Sequence, residues 1–128
     1  MKISVDLNHL EEALGRIEQE LDRLEPDVRF KIMLTCEEIL TNLASHGNFG
    51  NRSPEVTLAL DLTDQQAVHL IFNDNGAPFD LRSFPDPDLD CGIENRQPGG
   101  LGIYLLKKYA RHIDYHSKQG FNILKATL

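Results

Sequence analysis

Cys36-Glu37-Glu38-Ile39-Leu40-Thr41-Asn42-Leu43-Ala44-Ser45-His46-Gly47 is the stretch on which the reading of this chain turns. At 3.6 residues per turn, Ile39, Leu40, Leu43 and Ala44 line up as an apolar stripe, so the segment reads as a helix with one face in a core. Glu38, Asn42 and His46 recur at i, i+4 and i+8 and stack along a polar edge beside that stripe. Exposed helix positions ordinarily hold Lys, Glu, Arg or Gln, whose long chains lose little freedom in a helix. A carboxylate, an amide and an imidazole in one row at the border of a core form a different set. Alone, the row reads equally well as a half-exposed edge whose polar groups meet water. Two later stretches tip the balance.

Outward from this helix, Glu25-Pro26-Asp27 breaks the preceding pattern, and a proline suits a first turn. The helix therefore runs from about Asp27 to His46, with Gly47 as a left-handed C-cap. Upstream, Leu7, Leu10, Leu14, Ile17, Leu21 and Leu24 recur at spacings of three and four, an amphipathic helix with Asn8 and Glu11 as a capping box. It is too short for a committed coiled coil, so its stripe packs on the domain's own sheet. Residues 2 to 6, with Ile3 and Val5 on one side, read as a first strand. Downstream, Val56, Leu58, Leu60 and Leu62 alternate strictly, and Val68, Leu70 and Phe72 alternate again after the turn Thr63-Asp64-Gln65-Gln66, which makes a hairpin. A third helix opens at Gly99-Gly100-Leu101-Gly102, apolar at Ile103, Leu105, Leu106 and Tyr109, with Lys107, Lys108 and Arg111 near its C-terminus. Two strands follow, Ile113 to Ser117 and Phe121 to Leu128, joined by Lys118-Gln119-Gly120. The order β-α-α-β-β-loop-α-β-β predicts an α/β two-layer sandwich: a mixed, largely antiparallel sheet covered on one face by three helices.

Composition narrows the function. At 128 residues the chain suffices for one domain with one core, residues 1–128. Its 41% hydrophobic and 26% charged content are those of a soluble globular protein. No run of about 18 apolar residues is present, so no membrane span is expected. Met1 to Asp6 lacks the apolar core of a signal peptide, so a cytoplasmic location is expected. A net charge of -7 argues against a nucleic-acid backbone as partner, which needs a basic face. It leaves a nucleotide open, because backbone N–H groups and a metal can build a phosphate site. Cys36 and Cys91 have no metal-ligand spacing and read as two reduced thiols, Cys36 in the core and Cys91 in a loop.

The second decisive stretch is Asp74-Asn75-Gly76-Ala77-Pro78-Phe79, at the end of a buried strand. Asp-Asn-Gly is a turn signal, yet Pro78-Phe79 leaves the sheet instead of returning as a hairpin. An Asp there, beside a Gly that permits close approach, can accept a hydrogen bond from a purine amino group. The third is Gly99-Gly100-Leu101-Gly102, either a flexible hinge or free N–H groups at a helix start that favour phosphate oxygens. Between them, residues 80 to 98 hold Pro85, Pro87 and Pro98, five acids and no period. A loop of that length in a small domain is functional or disordered.

In this order the three stretches resemble the ATP-binding domain of the GHKL superfamily, which includes DNA gyrase, histidine kinases and the mismatch-repair ATPases. Glu38-x-x-x-Asn42 matches the N box, Asp74-Asn75-Gly76-Ala77-Pro78 the G1 box, and Gly100-Leu101-Gly102 the G2 box. Glu38 to Asn42 followed by His46-Gly47, and the ending Gly120-x-Asn122-x-Leu124, resemble the anti-sigma factor serine/threonine kinase branch. A histidine kinase would need a further dimerising helical segment with a phosphoacceptor His.

The resemblance covers nearly the whole chain. It implies the Bergerat-type ATP-binding fold, ATP and Mg²⁺ as cofactors, and a flexible lid over about residues 80–98. It implies that Asp74, with Gly76 and Pro78, binds the adenine amino group. Asn42 would ligate Mg²⁺ and Glu38 would be the general base. Gly100, Leu101 and Gly102 would receive phosphates, and Asn122 would hold the position where the family carries Asn or Thr. His46 stands either at the phosphate side or as a structural histidine. The implied activity is a serine kinase acting on a small anti-anti-sigma-like protein and sequestering a sigma factor or analogous regulator. The implied assembly is a homodimer. One departure divides two readings. The branch often carries a basic residue just before the G2 glycines, where this chain has Pro98-Gly99, and the nearest guanidinium is Arg96. If Arg96 reaches the phosphates, the chain is a kinase. If not, it is a nucleotide-gated switch with little or no kinase activity.

Overall fold

A strand, a helical pair, a hairpin, a third helix and a second hairpin follow one another in the computed structural model, which describes residues 1–87 and 101–128. The elements are β1 (Lys2–Val5), a 3-10 turn (Leu7–His9), α1 (Leu10–Glu20), α2 (Pro26–His46), β2 (Val56–Asp61), β3 (His69–Asp74), a second 3-10 turn (Leu81–Ser83), α3 (Leu101–Tyr109), β4 (His112–Lys118) and β5 (Phe121–Thr127).

The sheet order is β1-β2-β3-β5-β4, and every ladder is antiparallel, not mixed. The connectivity explains this correction. Two successive helices between β1 and β2 bring the chain back antiparallel. The single helix between β3 and β4 would give a parallel pair, but β5 inserts between them and pairs with both. Each strand's period-2 alternation sends one set of side chains to the helices. Leu58, Leu70, Phe72, Leu124 and Ala126 meet Ile17, Leu21, Ile32, Cys36, Leu40 and Leu106 in one buried cluster. Cys36 is fully buried, and burial pushes its thiol up to about 12, so it is core and unreactive.

Two caps differ from expectation. Asn8 and Glu11 form no capping box. Asp6 caps instead, its Oδ1 accepting the Asn8 N–H at 2.9 Å, and the first turn winds as a 3-10 helix before α1 begins. Gly47 ends α2 in an extended conformation (φ -62°, ψ 130°), not a left-handed one. Glycine is required there because a β-carbon would run into the Leu43 carbonyl and the Phe49 ring.

Candidate functional site

β3 ends at Asp74, and there a cavity of about 460 Å³ opens between the sheet and the C-terminal half of α2. Asn42 and His46 line it from α2; Asp74, Gly76, Pro78 and Asn122 line it from the strand ends. Its apolar walls include Ile39, Phe72 and Ile103. A larger hollow, of about 540 Å³, lies at the opposite end of the β2–β3 hairpin near Met1 and Leu60 to Thr63 and holds none of these groups.

The base of the cavity is built from Asp74 outward. The strand register places Asp74 directly opposite Asn122 on β5, so their side chains emerge side by side. Asp74 is 9% exposed and Asn122 3%. Asp74 Oδ1 accepts from the Gly76 N–H at 2.9 Å and from Asn122 Nδ2 at 2.9 Å. Asn122 Nδ2 also donates to the Gly76 carbonyl at 2.8 Å. No described donor is bonded to Asp74 Oδ2, so one acceptor oxygen is left over beside the cavity. Gly76 packs so closely that a β-carbon would stand 3.1 Å from Asp74 Oδ1 and 3.3 Å from the Phe49 ring. The residue between them, Asn75, is buried and structural. Its Oδ1 accepts from the Glu55 N–H at 2.8 Å and its Nδ2 donates to the Ser53 carbonyl at 3.0 Å. The Ala77 N–H donates to the Asn48 carbonyl at 2.6 Å. The Asp-Asn-Gly strip is thus stapled to residues 48–55 and presents one carboxylate in a fixed direction.

The polar row on α2 divides. Asn42, half-buried, and His46, exposed, border the cavity, whereas Glu38 faces α3. α2 and α3 pack antiparallel: Phe30 meets Tyr109 edge-on at 6.5 Å near one end, and Glu38 meets Gly102 at the other. A β-carbon on Gly102 would overlap the Glu38 carboxylate, so that glycine is where the carboxylate sits. Partial burial, and secondarily the neighbouring Glu37 charge, hold the Glu38 carboxyl above the ordinary glutamate range. Leu101 is 46% exposed and does not line the cavity. Arg96 and Gly100, with Cys91, Pro98 and Gly99, lie outside the described residues.

The start of the long loop is anchored more firmly than its composition suggests. Leu81 is buried, Phe84 packs edge-on against Phe79 at 6.2 Å, and Lys107 Nζ donates to the Phe84 carbonyl at 2.8 Å while pairing with Asp86 at 2.9 Å. The segment from residue 80 is therefore fastened to the core and α3 through residue 86; residues 88–98, the greater part of the expected lid, lie outside the described residues. Tyr115 is a site residue that sequence reasoning missed. Its hydroxyl donates to Asn122 Oδ1 at 3.0 Å and accepts from the Phe79 N–H at 2.9 Å. The only signal for it was strand alternation, which puts Tyr115 on the inward face opposite Leu124.

A purine ring fits this arrangement: an apolar slot with one carboxylate oxygen unbonded among the described residues and a glycine that leaves room beside it. A divalent cation held by protein alone does not fit, since no cluster of three His, Cys, Asp or Glu able to bind a metal exists among the described residues. Asn42 offers one amide oxygen, which suits a hard cation that keeps its waters and phosphate ligands. No helix among the described residues is long and apolar enough to cross a membrane.

Comparison with known proteins agrees with this geometry. The family model described as the histidine kinase-like ATPase domain matches residues 3–128. The chain is 31% identical over 106 residues to the serine/threonine-protein kinase BtrW of Bordetella bronchiseptica, covering 83% of this chain and 74% of that protein. Among solved structures, it is similar to the histidine kinase domain of the blue-light activated histidine kinase from Erythrobacter litoralis EL346 (TM-score 0.60, 16% identity, 95% of this chain). It is similar also to a structure of that blue-light activated histidine kinase itself (TM-score 0.58, 15% identity, 97% of this chain). The chain spans 58% and 42% of those two solved chains, and at such identity the likeness speaks for the fold alone.

Proposed function

The chain belongs to the histidine kinase-like ATPase family, and from that premise we propose that it binds Mg-ATP at the end of β3 and phosphorylates a serine on a small partner protein. The observation that carries the nucleotide part is the one oxygen of a buried, doubly anchored carboxylate, Asp74, that no donor among the described residues meets. It would accept from the adenine 6-amino group, with the ring held in the apolar slot between Phe72 and Ile103. Asn42 would supply its amide oxygen to Mg²⁺, which when bound screens the phosphate charge. Gly102 and the start of α3 would face the phosphate end. Glu38, seated on Gly102, would take the proton of the incoming serine hydroxyl. The kinase part is supported by the similarity to BtrW, named a serine/threonine-protein kinase.

The same glutamate supports a second reading. A carboxylate resting on the start of α3 repels a phosphate until it moves or takes a proton. Nucleotide binding that shifts Glu38 would then drive partner exchange with little transfer. In either reading the partners are an anti-anti-sigma-like protein and a sigma factor or analogous regulator, with this chain acting as a cytoplasmic homodimer. Light scattering that finds a monomer at high concentration would remove the dimer from the scheme.

Calorimetric titration with Mg-ATP and Mg-GTP tests the nucleotide part. ATP is expected to be preferred, and Asp74→Asn should lower ATP affinity by about 1.5–3 kcal/mol, the value of a hydrogen bond to a charged group. Equal affinity for the two nucleotides would reject the role of Asp74. Single-turnover transfer of labelled γ-phosphate to small proteins encoded beside this one separates kinase from switch.

A further inference from the structure

We propose that Tyr115 is the positioning residue that fixes which base the cavity accepts, a role that rests on the adenine-nucleotide reading of the same site. Asn122 lies 3% exposed among four partners, the most distant being the Ala77 carbonyl at 3.5 Å, and their chemistry leaves its amide one orientation. The Gly76 carbonyl, 2.8 Å away, can only accept, and the Asp74 carboxylate at 2.9 Å likewise accepts. The NH₂ end must therefore face them, and Oδ1 must face Tyr115. The phenol closes the arrangement from the other side. Its oxygen accepts from the Phe79 N–H at 2.9 Å, and its own proton goes to Asn122 Oδ1 at 3.0 Å. Tyr115 stands on β4, two places along from the residue opposite Asn122, a diagonal that a long aromatic side chain can span.

Without the phenol oxygen, Asn122 Oδ1 has no described donor: the acceptors on the other side still set which way the amide faces, but nothing holds it from the Oδ1 end and it can tilt. A tilted amide draws Nδ2 away from Asp74 Oδ1, and the carboxylate, left with the Gly76 N–H as its one described anchor, no longer presents its other oxygen in one direction. Discrimination between a 6-amino and a 6-oxo purine depends on Asp74 presenting one acceptor in one direction. Tyr115 thus acts on specificity through Asn122 and Asp74 without touching the base edge. The same hydroxyl ties the backbone at Phe79, where the chain leaves the sheet, to the base-reading end.

The test is calorimetric titration of the full chain with Mg-ATP and Mg-ITP, which differ at the purine 6-position, in wild type, Tyr115→Phe, Asn122→Ala and the double variant. Tyr104→Phe, a phenol removed from α3 outside the cavity lining, is the control and should match wild type. Wild type should prefer ATP by about 10–100-fold, the worth of one charged hydrogen bond. Tyr115→Phe should reduce that preference by about 3–10-fold while the protein stays folded, its melting temperature lower by the few degrees that one lost hydrogen bond costs. In the Asn122→Ala background the same substitution should change the preference no further. An ATP/ITP ratio in Tyr115→Phe equal to wild type, or a drop that persists in the Asn122→Ala background, overturns the role of Tyr115. Wild type binding neither nucleotide, or both alike, overturns the adenine reading itself and Tyr115 with it.

Discussion

Gly102→Ala places a methyl group where the Glu38 carboxylate now sits, and the structure allows the consequences to be separated. The obstructing atoms are the far end of a flexible side chain, so the backbone of α3 need not move. Forcing Glu38 into another torsion costs about 0.5–1.5 kcal/mol. Against this, alanine is better than glycine within a helix by about 0.8–1.0 kcal/mol, somewhat less at the second residue of α3. The two terms nearly cancel, and global stability should change by less than about 1 kcal/mol. Chemistry should not be spared. A positioned base contributes about 10²–10⁴-fold, so displacing it adds about 3–5 kcal/mol to the barrier. The alanine still has its N–H, so Mg-ATP affinity should stay within a few-fold. Denaturant melts, nucleotide titrations and single-turnover transfer to a confirmed partner are the three measurements. Glu38→Gln should cost as much as Gly102→Ala, and the double variant little more than either, because both remove one group. A fully active Gly102→Ala protein would show that the seat of Glu38 on Gly102 is irrelevant to transfer. A collapse of ATP affinity would show that the methyl blocks phosphate instead of moving the carboxylate.

Three further outcomes are expected. Because burial and Glu37 raise the Glu38 carboxyl, transfer should fall off on acidification at a higher pH than an ordinary glutamate would give, and Glu38→Gln should remove that limb; the sign for stability is opposite, since the ionised form is penalised above that range and the penalty is relieved as pH falls. A pH–rate profile with its acid limb in the ordinary carboxylate range would contradict this. Asn42→Ala should weaken Mg-dependent ATP binding and transfer together, while metal-free nucleotide binding changes little; titrations with and without Mg²⁺ decide it. Lys107→Met should free residues 84–86 from α3, seen as faster amide exchange there, with global stability changed by less than about 1 kcal/mol because the ion pair is half-exposed.

Where the sequence could be read, it was read through periodicity and spacing. The amphipathic stripes of α1 and α2 and the alternation of β2, β3 and β5 were visible because each buries one face in a shared core. Asp74 and Asn122 could be named singly, but their pairing could not, since it depends on β5 entering between β3 and β4, and no local pattern encodes strand order. For the same reason the sheet looked mixed. Gly47 misled because a glycine after a helix usually answers a need for positive φ, whereas here it answers crowding by Phe49, a contact made only after the chain turns. Gly102 was read as a phosphate glycine. Its contact with Glu38, 64 positions earlier, follows only from the antiparallel packing of α2 on α3. Tyr115 and Lys107 were invisible as site residues because tyrosine in a strand and lysine near a helix C-terminus are each ordinary there.

The two ends of the site rest on different kinds of support, and this bears on how they respond to change. The proposed base-reading end is carried by the sheet: Asp74 and Asn122 are ladder partners, held by the hydrogen bonds of two adjacent strands, with Tyr115 bracing them from a third. A displacement there must break backbone pairing, so its geometry is stiff, as discrimination between bases would require. The proposed phosphate end is carried by side chains between two helices, Glu38 on α2 against Gly102 on α3. Helix faces slide by fractions of an ångström at little cost, and a carboxylate can turn on its own torsions. The two ends are joined along the segment from Phe79 to Asp86, which Tyr115 holds at the sheet and Lys107 holds at α3. Substitutions in the sheet should therefore alter which nucleotide binds, and substitutions between the helices should alter what is done with it. Tyr115 and Lys107, at the two moorings of one segment, are the positions where the two effects should be found together.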